Sequence, residues 1–363
     1  MKKQLIVIKI GSSSLTREDG TIDHFKMSEH VAAISALKKE GHQIILVSSG
    51  AVAAGFPKLG YPTRPITTKG KQAAAAVGQS LLIRTYIEMF SHYQYVPAQV
   101  LLTRGDFKSQ KRFRNAFSTL TELLDRGLIP IINENDTVAI DELTFGDNDM
   151  LSALVAGFLH ADALWMMTDI DGIYTANPRT NPEAKRIERL GEITDDYFDM
   201  ADDKGSSVGT GGMTSKLAAA QTAQKLGVEV FIGNGRGEEK FLHILRGEGE
   251  GTYIEQTAED PLTMRRQWIA LHAETEGSLI IDEGAKQALL EEGSSLLPVG
   301  IDSVHGDFLA GDIIDVWSQG VRLGKGTSQY DAIELQQILQ QQTTTGPMKE
   351  VIHRDDWVQL GGK

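Results

Sequence analysis

Residues 4–10 read QLIVIKI and residues 43–51 read QIILVSSGA, and these two stretches decide the fold class. Each begins with a run of apolar, largely β-branched residues without polar alternation, which is typical of a strand buried on both faces of a sheet. Between them, residues 24–41 have the apolar spacing of a helix. A strand, a helix and a second strand in this order predict a parallel βαβ unit.

The same alternation continues along the first two-thirds of the chain. Further strands are predicted at residues 96–102, 128–133, 163–169 and 228–235. Further helices are predicted at residues 67–91, 106–126, 149–160 and 214–226. The predicted fold class is therefore α/β, with an open, mainly parallel sheet sandwiched by helices.

The pattern changes around residues 247–261, which read GEGEGTYIEQTAEDP. Beyond them, short strand-like segments broken by glycine, such as residues 306–318 and 321–330, predict a small β-rich C-terminal domain. We place the first domain at 1–258, a linker at 259–274 and the second domain at 275–363.

Composition limits the classes of partner. The formal net charge is −13, and such a surface repels nucleic acid and anionic membranes unless a local basic patch overrides it. The chain has no cysteine, which excludes disulfides and thiolate metal sites. No apolar run approaches the roughly 20 residues of a membrane helix. We expect a cytoplasmic protein that contacts neither membrane nor nucleic acid.

Polar, glycine-rich stretches follow the predicted strands. In an open α/β sheet, ligands bind at the carboxyl ends of the strands, where backbone amides of such loops can hold anions. The stretches are KIGSSS (9–14), VSSGA (47–51), INENDTV (132–138), TDIDG (168–172) and GNG (233–235).

Two of these stretches each allow a structural and a functional interpretation. Lys9 lies inside an apolar strand just before Gly11; it could extend to solvent or face a phosphate, and the following serines favour the phosphate. Ser48 and Ser49 could cap a helix, or they could form an anion site with the helix N-terminus, and these two roles are compatible.

A cluster of amides and carboxylates lies between two hydrophobic segments. It comprises Asn133, Glu134, Asn135, Asp136, Asp147, Asn148 and Asp149. These residue types are common turn formers. So many carboxylates also call for a nearby cation, which could be a substrate ammonium, a Mg²⁺ bridging phosphates or an active-site lysine. The Thr168–Asp169 pair also has two possible roles: it could form an Asx turn, or it could contact a ligand.

The segment GTGGMTSK (209–216) precedes a predicted helix. It is not a P-loop, because Lys216 lies four residues beyond the last glycine rather than next to it. The segment is either a flexible loop or a phosphate cradle of another design.

Taken together, these blocks resemble the amino acid kinase family. The matching blocks, in the family's order, include IKIGSSSL (8–15), VSSGAVAAG (47–55), INENDTVA (132–139), FGDNDMLSALVA (145–156), TDIDGIYTANP (168–178) and GTGGMTSKLAAA (209–220). EGSSLLPVGI (292–301) and EVIHRDD (350–356) resemble a PUA domain. The resemblance covers essentially the whole chain.

The resemblance implies an activity and its ligands. It implies ATP-dependent phosphorylation of the γ-carboxylate of L-glutamate to γ-glutamyl 5-phosphate, the first step of proline biosynthesis, by in-line phosphoryl transfer. Mg²⁺ would enter with ATP, held mainly through the ATP phosphates. Proline would be a feedback inhibitor, and the chain would form a homo-oligomer, a dimer or a tetramer.

Residue roles are carried over from the matching blocks. Lys9, Lys216 and Asp149 correspond to the catalytic residues. Glutamate binding is implied for Ser49, Gly50, Asn133, Asp136, Asp147 and Asn148. Nucleotide binding is implied for Lys9, Gly11, Thr168, Asp169, Thr210, Gly211, Gly212, Met213, Thr214, Ser215 and Lys216.

Two other functions remain open at this point. One is a kinase for another acid, such as aspartate, N-acetylglutamate or carbamate. The other is an inactive regulator or an RNA-binding protein on the same scaffold, since relatives of the PUA fold bind RNA. Residues 274–352 contain thirteen Asp and Glu against four Lys and Arg, which disfavours RNA. The presence of Lys9, Asp149 and Lys216 together disfavours an inactive protein.

Overall fold

The computed structural model describes residues 2–139, 148–176, 178, 181–201, 212–256, 266, 269, 275–340 and 349–359. The chain divides into two compact units. The first comprises Met1–Asp106 and Lys111–Pro261, and the second comprises Phe107–Gln110 and Leu262–Lys363. Within the described residues, no helix is both long enough and apolar enough to span a membrane. The boundaries expected at residues 258 and 275 stay a prediction.

The described strands are, in chain order, β1 Leu5–Ile10, β2 Gln43–Ser48, β3 Pro97–Leu102, β4 Ile129–Glu134, β5 Ala163–Met167, β6 Ile173–Tyr174, β7 Arg186–Ile187, β8 Arg189–Leu190, β9 Glu229–Gly233, β10 Gly251–Ile254, β11 Gly277–Ile281, β12 Ile301–Gly306, β13 Ile313–Ser318, β14 Val321–Thr327 and β15 Trp357–Gln359.

The described helices are α1 His24–Lys39, α2 Ala51–Gly55, α3 Thr68–Ser91, α4 Arg104–Lys108, α5 Gln110–Asp125, α6 Asn148–Phe158, α7 Asp195–Ala201, α8 Met213–Lys225, α9 Lys240–Leu245, α10 Glu283–Leu290 and α11 Ala332–Gln340.

The first unit is built on an eight-stranded sheet in the order β3-β4-β2-β1-β5-β9-β10-β8. All neighbouring strands from β3 to β9 are parallel, and β10 is antiparallel to β9. The expectation of an open, mainly parallel sheet covered by helices is confirmed. The strand that carries Lys9, β1, is one of the two central strands, and β5 is the other.

The alternation of side chains along β1 sends Lys9 to one particular face of the sheet. Ile6, Ile8 and Ile10 join the core cluster that also contains residues of α1 and α3. Successive side chains of a strand point to opposite faces, so Lys9 points away from α1. That opposite face is packed against α6 and α8, and these two helices carry the other charged residues of the site.

Close packing between α2 and α3 depends on two glycines. A Cβ at Gly55 would lie 1.8 Å from the Ala74 carbonyl oxygen, and a Cβ at Gly78 would lie 1.8 Å from the Ala51 carbonyl oxygen. The two helices therefore approach backbone to backbone, which brings α3 close to the carboxyl end of β2.

The predicted elements of the first unit are present, but one predicted helix is divided and several short elements, β10 among them, were not predicted. The single helix predicted over 106–126 is divided into α4 and α5, and α4 begins early because the Thr103 amide and hydroxyl both donate to Asp106. The strand β10 was missed: its four residues are too few for a periodic signal, and glycine at its start reads as a turn. In the sheet, a Cβ at Gly251 would meet the Phe231 ring at 2.3 Å.

The second unit contains the predicted small β-rich domain. Its five-stranded sheet has the order β12-β11-β13-β14-β15. The sheet and the helices α10 and α11 enclose a separate core that includes Leu279, Val316, Leu335 and Trp357. The prediction of a β-rich C-terminal region is confirmed by this architecture.

Candidate active site

The order in which strands are added to the sheet changes side between the parallel neighbours β1 and β5. From β1 the chain proceeds to β2 on one side, and from β5 it proceeds to β9 on the other side. Such a switch point opens a crevice at the carboxyl ends of the two strands, and ligands of open α/β sheets bind there. Gly11 follows β1 and Thr168 follows β5, so both lie at this crevice.

A buried carboxylate joins two buried lysines on the α6 and α8 side. The Lys9 ammonium pairs with Asp149 Oδ1, and the Lys216 ammonium lies 3.1 Å from Asp149 Oδ2. Asp149 is 0% exposed, and the two lysines are 5% and 6% exposed. The side chain of Lys9 therefore does not extend to solvent. Two cations against one carboxylate leave a net positive charge, which suits the arrival of a phosphoryl group.

The first turn of α8 provides Lys216 and one further contact to the same carboxylate. Gly212 precedes the helix in extended backbone, and Ser215 Oγ lies 3.1 Å from Asp149 Oδ2. Met213 and Thr214 lie in this first turn, where the amides of a helix N-terminus favour anions. Of the predicted nucleotide loop, Thr210 and Gly211 lie outside the described residues.

The first residue of α6, Asn148, anchors a cluster of neutral groups. Its Nδ2 lies 2.7 Å from the Ser48 carbonyl oxygen, 2.9 Å from Ser49 Oγ and 2.8 Å from Asn133 Oδ1. Asn133 and Asn148 are both buried. The structure thus brings together the carboxyl ends of β2 and β4 and the start of α6. Asp147, which was predicted to belong here, lies outside the described residues.

The turn after β2 is shaped by Gly50. Its φ of 93° lies in the left-handed region, which glycine adopts without strain. It precedes α2 without any side-chain cap, so neither Ser48 nor Ser49 caps this helix. Ser49 instead accepts from Asn148, and Ser48 Oγ lies 3.1 Å from the buried Tyr86 hydroxyl.

Asp136 lies in the turn that follows β4. Burial raises the pKa of its carboxyl group, and the Arg64 guanidinium partly opposes that rise. A carboxylate that is costly to ionise because it is partly buried gains from the arrival of a cation. An amino acid ammonium is such a cation.

The ends of β1 and β5 carry the remaining predicted nucleotide contacts. A Cβ at Gly11 would lie 3.9 Å from Lys9 Nζ, so this glycine borders the space above the ammonium. Thr168 donates its amide to the Gly233 carbonyl oxygen at 3.0 Å and its hydroxyl to Asp169 Oδ1 at 3.1 Å. Asp169 is exposed at the edge of the crevice.

Sequence reasoning missed the contribution of α3. Asn133 Nδ2 donates to Gln79 Oε1 at 2.8 Å, and Tyr86 contacts Ser48. Gln79 and Tyr86 are seven positions apart, so they project from the same face of the helix. Two sequence signals were present: the block KQAAAAVGQ (71–79), which resembles the family and ends at Gln79, and the seven-residue spacing of Gln79 and Tyr86. Neither signal assigns a role to these two side chains.

Comparison with family models assigns both units to known classes. The model of the amino acid kinase family matches residues 4–234, and the model of the PUA domain matches residues 277–345. The fold agrees with the first match. A carbamate kinase from Giardia lamblia bound to AMP-PNP has a TM-score of 0.52 and 17% sequence identity, covering 70% of this chain and 99% of that chain. The class is thus a kinase of this family followed by a PUA domain.

Curated relatives narrow the class. Glutamate 5-kinase 1 from Bacillus licheniformis is 55% identical over 99% of this chain and 100% of its own length. Glutamate 5-kinase 1 from Bacillus subtilis is 54% identical with the same coverage. Glutamate 5-kinase from Geobacillus thermodenitrificans is 55% identical over 99% of this chain and 98% of its own length. The chain belongs to the amino acid kinase family and, within it, to the glutamate 5-kinases.

Proposed function

We propose that this chain transfers the γ-phosphoryl group of ATP to the γ-carboxylate of L-glutamate, giving γ-glutamyl 5-phosphate and ADP in the first step of proline biosynthesis. Family membership over the full length supports this activity. The observation that carries the chemistry is the Lys9–Asp149–Lys216 cluster beside the amide cluster at Asn148.

The mechanism needs no general base. The γ-carboxylate is ionised at neutral pH because the ordinary pKa of a glutamate side chain is about 4.3. An oxygen of that carboxylate attacks the γ-phosphorus as the bond to the β-phosphate oxygen breaks, and catalysis rests on positioning and charge stabilisation. Lys9 and Lys216 neutralise charge on the transferring group and on the leaving phosphate, while Asp149 holds both ammonium groups in place.

The glutamate site lies on the amide side of the cluster. Asp136 receives the α-ammonium, which offsets the cost of ionising a partly buried carboxyl group. Ser49 and the amides after Gly50 receive a carboxylate, and Asn148 contributes its carbonyl oxygen. Asn133 holds Asn148, and a role for Asp147 in this pocket stays a prediction from the family resemblance.

The nucleotide site lies on the other side, at Gly11, Thr168, Asp169 and the first turn of α8. Mg²⁺ would supply further neutralisation of the phosphate charge. Within the described residues there is no group of three or more His, Asp or Glu side chains able to hold a metal ion. A Mg²⁺ carried mainly by the ATP phosphates stays an expectation from the family resemblance, and this ion commonly takes only one or two protein carboxylates.

Three further features of the proposal rest on family resemblance and on composition. Proline, which also has an ammonium and a carboxylate, would inhibit at or overlapping the glutamate site. The chain would act as a homo-oligomer, a dimer or a tetramer. A cytoplasmic location and the absence of a nucleic-acid partner stay predictions from composition.

The decisive experiment supplies ATP, Mg²⁺, hydroxylamine and a panel of acids, and measures hydroxamate and ADP. Hydroxamate with glutamate but not with aspartate supports the proposal. Hydroxamate with aspartate instead would indicate a kinase for another acid. No hydroxamate and no ADP with any acid would refute a kinase activity and leave the inactive regulator. Asp149→Asn, which should form no hydroxamate above background, is the matched control.

A further inference from the structure

Four amide side chains form one continuous hydrogen-bonded row that runs from the start of α6 through β4 and α3 to β3. Asn148 Nδ2 donates to Asn133 Oδ1 at 2.8 Å, and Asn133 Nδ2 donates to Gln79 Oε1 at 2.8 Å. Gln79 Nε2 then donates to Gln99 Oε1 at 3.0 Å. The row begins at a buried residue of α6 and ends at an exposed residue of β3.

Two backbone groups determine which way the inner amides of the row face. The Glu134 amide can only donate, and it lies 2.9 Å from Asn133 Oδ1. The Ser48 carbonyl oxygen can only accept, and it lies 2.7 Å from Asn148 Nδ2. A side-chain amide has its donor and its acceptor at opposite positions. Asn133 therefore presents its NH₂ group to Gln79, and Asn148 presents its NH₂ group to the protein.

This polarity decides what Asn148 offers to a ligand. Because its NH₂ group is directed at Ser48, Ser49 and Asn133, its carbonyl oxygen faces away from them. Among the described residues, none donates a hydrogen bond to that oxygen. An amide oxygen presented in this way accepts from a donor such as an ammonium group.

Helix α3 contributes one acceptor to this row, Gln79 Oε1, which receives the hydrogen bond from Asn133 Nδ2. Asn133 is 2% exposed, so its NH₂ group has no access to bulk water, and without Gln79 it would be a buried donor lacking this acceptor. Turning the Asn133 amide over would not help, because it would break the bonds from Glu134 and Asn148 at once. The close contact of Gly78 with α2 fixes the neighbouring Gln79 relative to that helix.

We propose that Gln79 is a positioning residue for glutamate binding, acting as a hydrogen-bond acceptor that holds Asn133 and, through it, the orientation of Asn148. This inference rests on the proposed function, because it assumes that Asn148 binds glutamate. What matters at position 79 is an acceptor within reach of Asn133 Nδ2; the donor that Gln79 gives to Gln99 is dispensable.

The experiment compares Gln79→Leu, which has no acceptor, with Gln79→Glu, which keeps one. For each we measure kcat, the KM for glutamate and the KM for ATP, at low and high salt. Gln79→Leu should raise the KM for glutamate roughly three- to tenfold, the range of one neutral hydrogen bond. Its kcat and its KM for ATP should stay within about twofold, because the lysine cluster is untouched. Gln79→Glu should restore the wild-type KM for glutamate at high salt, where its added charge is screened.

Two controls complete the design. Gln99→Leu removes only the outer end of the row and should leave all three constants unchanged. If Gln79→Leu does not fold, Gln79→Met replaces it with a side chain of similar length. A normal KM for ATP then shows that the variant retains its nucleotide site.

Three results would overturn the inference. The first is an unchanged KM for glutamate in Gln79→Leu. The second is an equal rise in the KM for glutamate in Gln79→Leu and Gln79→Glu at high salt. The third is a fall in kcat together with a rise in both KM values in Gln79→Leu, which would indicate a general loss of structure. Absence of glutamate turnover by the wild-type protein would instead refute the proposed function itself, so the two failures are distinguishable.

Discussion

Two halves of the candidate site meet at the consecutive residues Asn148 and Asp149, and they are built from different chemistry. Asp149 binds two ammonium groups and is fully buried, so its half is a cluster of charges. Asn148 binds a carbonyl, a hydroxyl and another amide, so its half is held together by neutral groups. Successive residues of a helix point about 100° apart, which allows one helix start to serve both halves.

The difference matches the demands of the two substrates. A transferring phosphoryl group carries much negative charge, and fixed cations in a poorly solvated site stabilise it. A zwitterionic amino acid must be recognised by shape and by individual donors and acceptors, for which neutral amides serve without electrostatic repulsion. Variants in the charged half should therefore change kcat, and variants in the neutral half should change the KM for glutamate.

Replacement of Asp149 should have the largest effect. Asp149→Asn leaves two buried ammonium groups without a carboxylate, and removing one partner of a buried pair costs about 3–5 kcal/mol. We expect a corresponding fall in the free energy of unfolding, measured by chemical denaturation. The kcat should fall by about 10³, the upper end for loss of one electrostatic contact.

Glu88 provides the control for this variant, since its ion pair with Arg84 lies on the exposed surface of α3. Glu88→Gln should change neither stability nor kcat appreciably. Equal stability losses in Asp149→Asn and Glu88→Gln would contradict the assignment of a buried charge cluster.

The next effect is that of Lys216. Lys216→Met removes one of the two cations and keeps the length of the side chain, so kcat should fall by about 10²–10³. The KM for glutamate should remain near the wild-type value, because the amide cluster is intact. Steady-state kinetics with both substrates varied measures both constants. An unchanged kcat would remove Lys216 from the mechanism.

Replacement of Asp136 tests the half of the site that is proposed to bind glutamate. A hydrogen bond to a charged group contributes about 1.5–3 kcal/mol, so Asp136→Asn should raise the KM for glutamate by roughly 10- to 100-fold. The kcat should change little. If kcat fell as in Lys216→Met while the KM stayed constant, the division of the site into two halves would be wrong.

The pH dependence of glutamate binding gives a second test at Asp136. Burial raises the pKa of its carboxyl above the ordinary value of 3.8. The group therefore becomes neutral, and loses its attraction for an ammonium, at a higher pH than an ordinary aspartate. The KM for glutamate should rise as the pH falls through this raised pKa, and Asp136→Asn should lack that dependence. In the free protein the same shift makes stability fall as pH rises through the window above 3.8.

Tyr86 should show the smallest effect. Burial raises the pKa of its phenol, so the group is neutral at physiological pH and shares a hydrogen bond with Ser48 Oγ at 3.1 Å. Tyr86→Phe should lower the free energy of unfolding by about 1 kcal/mol. The KM for glutamate should change only a few-fold, because Ser48 contacts Asn148 through its carbonyl oxygen rather than its hydroxyl. A loss of kcat comparable with that of Lys216→Met would contradict this view.

Much of the fold could be predicted from periodicity. The helices α1 and α3 extend over enough residues for apolar spacing to identify them, whereas β1 and β5 are visible as unbroken apolar runs. The order of strands and helices indicates a parallel sheet. The short strands β6, β7, β8 and β10 could not be predicted, because two to four residues contain no period and form strands only when a neighbour supplies hydrogen bonds.

The sequence allowed many residues of the candidate site to be predicted, but it did not allow the contacts between them to be predicted. The polar ends of the strands and Lys9 inside an apolar run were visible, and the family resemblance supplied roles for them. Gln79 and Tyr86 were not visible, since a polar residue on an amphipathic helix is usually exposed. Their contacts with Asn133 and Ser48 depend on the approach of α3 to α2 at Gly55 and Gly78.

The sequence by itself determined the alternation of strands and helices, the polar loops at the strand ends and the acidic, cysteine-free composition. These are local properties, and a few neighbouring residues suffice to specify each of them. Only the tertiary structure decided that Lys9 and Lys216 meet on one carboxylate and that Asn148 turns its NH₂ group toward the protein. Those contacts join segments distant in the chain, and they depend on strand order and on which face of the sheet each helix packs against.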